Sequence, residues 1–363
     1  MRQSSARTMC SPIACIFLSL FLFRSEARLL PVGAGYVGAG YNVLIGNNDG
    51  ARFTSGGPDS GLLPTRIILQ KTLPRTNGYC PTEAICTETA DGVTDDQYSV
   101  IADLQQYQRL FSQGWDFDTE EPLLPIESVF AGAQSPPITE ARDTLEAKQA
   151  IVVEKRNVII EGELRYNYKE NEKLTKEFVI GLCELPEEYI TEVYRRFILK
   201  WGTHVIVAVK VGHFVVNRYE IPLAALNSLV STISPLTRLA HINMSTTSAA
   251  YKSEDFQDSE IVQKLVDLAL LEKAPFRKWH FVTGSDKAPT PVHLTLRRLD
   301  SFITREFIEP GMEVECLTLA TDVNIAEIRE NIKTALLEYP IDPPSPAFQP
   351  IVRQFRSDWP RGM

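Results

Sequence analysis

Residues of the types that do chemistry are present in this 363-residue chain, and their spacing decides whether they do any. Gly33-Ala-Gly35-Tyr-Val-Gly38 formally matches Gly-x-Gly-x-x-Gly, in which glycine lets backbone N–H groups approach a dinucleotide pyrophosphate. That chemistry requires a buried strand before the motif, a helix opening on it and an acidic residue about 20 positions on. Here Pro31 and an apolar leader precede it and no βαβ pattern follows, so a flexible glycine loop is expected. His204 and His213 lie nine apart on a predicted strand, where their side chains face opposite sides unless a bulge intervenes, and they make no metal pair. Cys80 and Cys86 form a Cys-x5-Cys without the second ligand pair that zinc needs. No serine elbow, carboxylate dyad or Cys/His pairing stands at a recognisable spacing. The expectation is a protein with no catalytic residue, cofactor or metal; a secreted hydrolase would rest on scattered Ser, His and Asp alone.

The elements tell more. Tyr189, Ile190, Val193, Tyr194, Phe197, Ile198 and Trp201 recur at three- and four-residue spacing, which predicts one helix with a buried aromatic stripe. Gly202 can take the left-handed conformation that ends a helix, and Val205-Ile-Val-Ala-Val-Lys-Val211 then supplies β-branched residues for a strand. A structural, hydrogen-bonded core role is expected for Gly202, Thr203 and His204, because a helix-to-strand junction leaves backbone groups needing partners. Ile151 to Tyr168 reads as one long strand with a bulge where Lys155 and Arg156 interrupt it. Asp96 to Gly114 has mixed helical character, and Ile221 to Ile233 has a helical stripe. Arg277–Thr283 and Val292–Leu299 read as a hairpin across Gly284. Asn324 and Glu327 form a capping box before a helix whose buried stripe is Ile325, Ile328, Ile332, Ala335 and Leu336. Together these predict an α+β fold around an antiparallel sheet.

Arg2 and Arg7 precede the apolar run Ile13–Phe23, and Ser25-Glu26-Ala27 offers small residues, so residues 1–27 read as a secretory signal peptide and the product as secreted and extracellular. No later run reaches the roughly 18 apolar residues of a membrane-spanning helix. A proline-rich extended tail is expected over 341–363. The formal net charge of −9 argues against general nucleic-acid binding, which depends on Lys and Arg neutralising phosphates. In an oxidising compartment, the short loop between Cys80 and Cys86 favours a disulfide between them. Whether Cys183 meets Cys316, or both stay free buried thiols, is open on spacing alone.

Tyr194, Trp201, Gly202, Thr203 and His204 resemble the signature of the membrane attack complex/perforin (MACPF) family: an aromatic, six residues, a second aromatic, then Gly-Thr-His. Trp201 stands where Phe or Tyr is usual, and Val205 where an aromatic is common. Gly38-Ala-Gly40-Tyr41-Asn42-Val-Leu-Ile-Gly46-Asn47 resembles the family's N-terminal Gly-x-Gly-Tyr-Asp…Gly-Asn motif, with Asn42 for Asp. The order of segments between about Gln149 and Tyr339 is similar to the macrophage-expressed perforin branch.

The resemblance implies a MACPF/cholesterol-dependent-cytolysin-like domain over 28–340, a bent antiparallel sheet flanked by two helix clusters that unfurl into membrane hairpins. Transferred here, the candidate membrane segments are Leu110 to Lys148 and Tyr219 to Glu260, and Gly212 would help the sheet bend. Leu271–Pro275 stands where relatives often carry a Gly-Gly pair. The implied partners are a lipid membrane and further copies of the chain in a ring, with an accessory protein one way to supply targeting. A membrane strand needs about 9–11 residues of alternating character. Ala240 to Ala250 alternates in part, with Ile242 and Met244 on one face, whereas Pro136 and Pro137 in the first segment cannot donate to a ladder. The sequon at Asn243 places a possible glycan in the second segment, where it would hinder translocation. Two readings follow: a pore-forming protein of defence, toxicity or attack, and a non-lytic relative in adhesion, development or egg provisioning.

Overall fold

The computed structural model describes residues 35–48, 59, 61–70, 84–118, 122–148, 150–167, 173–222, 277–285, 289–304, 307–308 and 324–340. The expected signal peptide, Cys80, Cys316, Asn243, Leu271–Pro275, the tail and all of the second membrane segment beyond Pro222 lie outside these residues.

An eight-stranded sheet organises the described residues. In chain order they form β1 (Ala39–Tyr41), β2 (Leu62–Ile67), β3 (Ala84–Ile101), α1 (Leu104–Ser112), β4 (Trp115–Phe117), α2 (Pro125–Ser128), α3 (Pro136–Arg142) with a π-helical turn at Asp143–Ala147, and β5 (Ala150–Tyr166). Then come α4 (Lys176–Cys183), α5 (Thr191–Trp201), β6 (His204–Pro222), β7 (Arg277–Thr283), β8 (Thr290–Arg298), a 3-10 turn at Leu299–Phe302 and α6 (Ile325–Glu338). Strands β3, β5, β6 and β7 lie side by side, each antiparallel to the next, and β1 and β2 extend the sheet beside the start of β6. The short β4 is parallel to β8.

β-Branched runs explain the central strands. Val205, Ile206, Val207, Val209, Val211 and Val216 of β6 are buried, as are Ile151, Val152 and Val153 of β5. β6 is longer than its apolar run predicts and continues through Asn217-Arg218-Tyr219-Glu220 to Pro222, so Tyr219–Pro222 is strand, and the expected helix from Ile221 cannot begin there. The acidic stretch around Asp95 and Asp96 also joins a strand, β3, and helix begins only at Leu104. The first cluster therefore starts ahead of Leu110.

Two pairings differ from expectation. β7 and β8 do not form a hairpin with each other; both pair with β6, β7 along Phe214–Glu220 and β8 along His204–Gly212. The irregularity in β5 falls between Ile160 and Gly162, not at Lys155 and Arg156, which keep regular partners in β6. Gly212 sits opposite this bulge, where β6 also changes partner from β8 to β7. A Cβ on Gly212 would lie 1.9 Å from the Ile159 carbonyl oxygen, so glycine is required by the close approach at the bend. Gly284, at φ +76°, carries the chain past the same point.

α5 buries Tyr194, Phe197, Ile198 and Trp201, while Ile190, expected in the stripe, is the N-cap residue and 45% exposed. α6 packs on it: Tyr189 Oη donates to Glu338, and Asn331 Nδ2 donates to the Glu187 carbonyl and to Tyr194 Oη. Asn324 caps α6 by accepting from the Glu327 N–H at 3.3 Å. The carboxylate that receives the Asn324 N–H belongs to Glu187, 3.1 Å away, rather than to Glu327.

Candidate functional site

The two sequence motifs meet at the end of α5. Gly202 closes the helix by donating to Ile198 O at 2.7 Å and has φ +96° with ψ 174°, an extended glycine-only conformation rather than the left-handed helical one expected. Its α-carbon faces β1: a Cβ there would lie 2.7 Å from Tyr41 N and O, and one on Gly40 would lie 1.9 Å from Trp201 O. Thr203 N donates to Tyr41 O at 2.9 Å, and Val43 N donates to the Thr203 hydroxyl at 3.0 Å. Trp201 closes the stripe against Phe178, ring centroids 5.0 Å apart and nearly perpendicular.

The remaining N-terminal residues brace Tyr41. Its hydroxyl donates to Asp59 at 2.9 Å and accepts from Trp115 Nε1 at 3.1 Å. The other Asp59 oxygen accepts from the N–H groups of Asn47 and Gly61. Gly46 leaves room for the phenol, since a Cβ there would lie 2.4 Å from Tyr41 Oη. Gly38 turns the chain into β1 at φ +80°. Burial, reinforced by Asp59, pushes the Tyr41 phenol well above its ordinary range. Asn42 is buried and donates from Nδ2 to Tyr339 Oη at 3.1 Å while its Oδ1 accepts from Leu44 N. An ionised Asp could not make that donation, which gives the amide a role of its own.

His204 is buried with both ring nitrogens engaged: Nδ1 lies 2.8 Å from Thr203 Oγ1 and Nε2 lies 2.9 Å from Glu127 Oε1. The Thr203 hydroxyl proton is committed to Tyr41 O, so Nδ1 must be the donor to Thr203. Nε2 then faces Glu127 Oε1, and the bond between them joins two buried side chains from different parts of the chain. The second Glu127 oxygen accepts the Leu124 N–H that opens α2. Phe117 covers the imidazole, 5.5 Å between centroids. The geometry is that of a tether between the first helix cluster and the signature strand.

Beneath α1 lies a cavity of about 300 Å³ lined by Tyr107, Glu154, Arg156, Lys210, Arg218 and His293 among others. Arg218 is buried, bonded through Nε to Glu154 and placed 5.6 Å from the centre of the Tyr107 ring. Burial alone would lower its pKa, but Glu154 and Tyr107 together raise it. Asp116 bridges His293 at 2.9 Å and Lys210 at 3.6 Å, and burial pushes the His293 imidazole down. Among the described residues no cluster of His, Cys, Asp and Glu could hold a metal ion.

A sheet of this order, interrupted by inserted segments between β3 and β5 and between β6 and β7, carries the signature junction at its top. The MAC/Perforin domain profile matches residues 30–343. The chain belongs to the MAC/Perforin family. Its structure has the α+β MACPF architecture, a large bent antiparallel sheet with helices. No curated protein matches the chain in sequence. The crystal structure of GNIP1Aa from Chromobacterium piscinae is similar with a TM-score of 0.49 and 12% identity, over 85% of this chain and 56% of that one. This chain thus spans little more than half the length of that protein. A putative cell invasion protein with a MAC/Perforin domain from Bacteriodes thetaiotaomicron gives 0.33 and 11%, over 54% and 36%. Astrotactin-2, described as a vertebrate-specific, perforin-like membrane protein involved in neuronal development, gives 0.35 and 12%, over 80% and 95%. Membership rests on the domain match.

Of the MACPF residues read in the sequence, Gly38, Gly40, Tyr41, Gly46 and Asn47 converge with Trp201, Gly202, Thr203 and His204 on one junction, while Tyr194 packs two turns up α5 against Asn331 and Tyr189, and Gly212 stands apart at the bend. Glu127, Asp59, Trp115 and Tyr339 complete the junction and were not singled out. Only Glu127 carried a local signal, as a carboxylate following the apolar Leu123-Leu-Pro-Ile126. Cys86 and Cys183 each take part in a disulfide, while Cys80 and Cys316 lie outside the described residues.

Proposed function

We propose that this MACPF protein is secreted, gathers into a homo-oligomeric ring on a target membrane and forms a pore, without enzymatic chemistry or cofactor. The observation that carries the reading is the direct antiparallel pairing of β6 and β7 across the 223–276 interval. Residues inserted between two paired strands can prolong both into one continuous hairpin without disturbing the ladder already formed. The second candidate segment, Tyr219 to Glu260, then supplies the membrane part from Leu223 onward, with Ile242 and Met244 on its lipid-facing side. Barrel closure among copies removes the open edges that lipid does not tolerate. Cleavage near Arg28 and a Cys80–Cys86 disulfide belong to the same secretory reading, and an accessory protein could supply targeting.

Dye release from liposomes by the mature protein, with the same vesicles imaged for rings, tests this directly. Release with rings supports it. Intact vesicles under membrane-bound protein would favour the non-lytic reading in adhesion, development or egg provisioning, which the sequon at Asn243 also favours. Non-reducing peptide mapping that recovers Cys80 and Cys86 joined supports the disulfide; recovery of either with another partner rules it out.

A further inference from the structure

We infer that the first helix cluster of this protein never becomes a membrane hairpin: it stays docked on the sheet, held by the Glu127–His204 tether, and only the second segment enters lipid. The inference rests on the membrane reading above and divides the labour within it.

The β3–β5 ladder fixes how a first hairpin would pair. Continuing its register from Val100↔Val153 and Ile101↔Val152 one residue at a time brings the two arms together at Ile126 and Glu127. The distal part, the length that spans a bilayer, is then Asp116–Ile126 against Glu127–Pro137. Pro122 and Pro125 fall in one arm, Pro136 and Pro137 in the other. In a closed barrel every backbone N–H points to a neighbouring strand, and in lipid no water can replace a missing donor. Pro125 falls at the turn, but Pro122, Pro136 and Pro137 lie within the arms and leave the ladder without three donors where it must be complete. Three of these prolines sit well in helices: Pro125 is the first residue of α2, and Pro136 and Pro137 open α3, where an N–H would have no intrahelical partner.

The cluster is also fastened. Glu127 of α2 is bonded to His204, both buried. Gly132 N donates to Val43 O at 2.6 Å and Gln134 N to Leu44 O at 2.9 Å, which ties the loop before α3 to the chain after β1. Gly132 itself, at φ +66°, packs its α-carbon on Phe111 of α1. Unfurling would strand His204 in the core without its partner and take both donors away from the Val43 and Leu44 carbonyls, which stay with the sheet. Each subunit would then bring two strands to a barrel instead of four.

The test labels the full-length mature protein at one of two engineered cysteines, Val129→Cys, where the native side chain is exposed, or Met244→Cys, with a polarity-sensitive dye. Vesicles of phosphatidylcholine, phosphatidylserine and cholesterol are added, and hydrogen exchange of residues 122–148 is followed in the unlabelled protein. The expected result is a Val129 dye that stays in water and amide protection within about threefold of the value in solution, while the Met244 dye shifts to the blue. A blue-shifted Val129 dye quenched from within the bilayer, or loss of protection over 126–147, overturns the inference. If neither dye enters lipid and no vesicle leaks, the pore reading fails, yet retained protection over 126–147 on the vesicles still supports docking and lost protection still refutes it.

Discussion

Gly40 and Gly202 bring two backbones together where no side chain fits, and this contact joins the N-terminal motif to the signature. Replacing Gly40 by Ala forces a methyl to within 1.9 Å of Trp201 O and is expected to cost on the order of 3 kcal/mol, whereas Gly35→Ala, with nothing within 4 Å of its Cβ, should be nearly neutral. Urea midpoints of the two variants check this, and equal midpoints would sink it. The His204 tether makes a second prediction. Glu127→Ala leaves a buried imidazole nitrogen without its partner and should cost roughly 1–3 kcal/mol. Glu127→Gln should cost clearly less, because the amide can still donate to Nε2 of a neutral imidazole. If Gln and Ala are equally damaging, the Glu127 carboxylate does more than hold a hydrogen bond.

The helix α5 shows what a sequence reveals best, a long amphipathic pattern with one buried stripe. Trp201→Ala should cost roughly 3–5 kcal/mol, since Trp201 is 3% exposed and packs on Phe178 and Phe197. A thermal midpoint unchanged by the substitution would contradict that packing. The strand β6 was legible over its β-branched half, while Arg218 and Glu220 concealed the rest. Arg218 is tolerated inside because Glu154 on β5 meets it, a partner that only the ladder reveals. β3 escaped notice because its middle, Thr87 to Gln97, is polar; among the described residues it pairs only with β5, and an edge strand needs no apolar outer neighbour. β7 and β8 carried correct strand signals with the wrong pairing, since two alternating runs flanking a turn look the same whether they bond to each other or share a third strand. The junction was half legible: its glycines and Gly-Thr-His announce a constrained backbone, whereas Glu127, Asp59 and Tyr339 are ordinary residues until the fold brings them there.

Across the whole molecule, the same junction ties the chain near its start to the last helix. Tyr41 bonds to Asp59 and Trp115, Asn42 bonds to Tyr339, and α6 buries Ile328, Ile332, Ala335 and Leu336 against the core. This arrangement predicts an alkaline limit to stability. Burial pushes Tyr339 up to about 12, and burial with Asp59 pushes Tyr41 well above its usual value, whereas both ionise near 10 once unfolded. Above about pH 10 the unfolded chain releases these protons while the folded chain keeps them, so stability must fall as pH rises. Their contribution is fully present below about pH 10 and is lost progressively toward pH 12, where Tyr339 ionises in the folded state. Tyr339→Phe removes one of these groups and should flatten the decline, although it also loses the bond from Asn42 and lowers the starting stability. Unfolding midpoints between about pH 8 and 11, read beside tyrosinate absorbance, decide the matter. Buried tyrosines should resist ionisation until the protein unfolds; complete tyrosinate formation near pH 10 in a protein that stays folded would show that the junction is open to solvent.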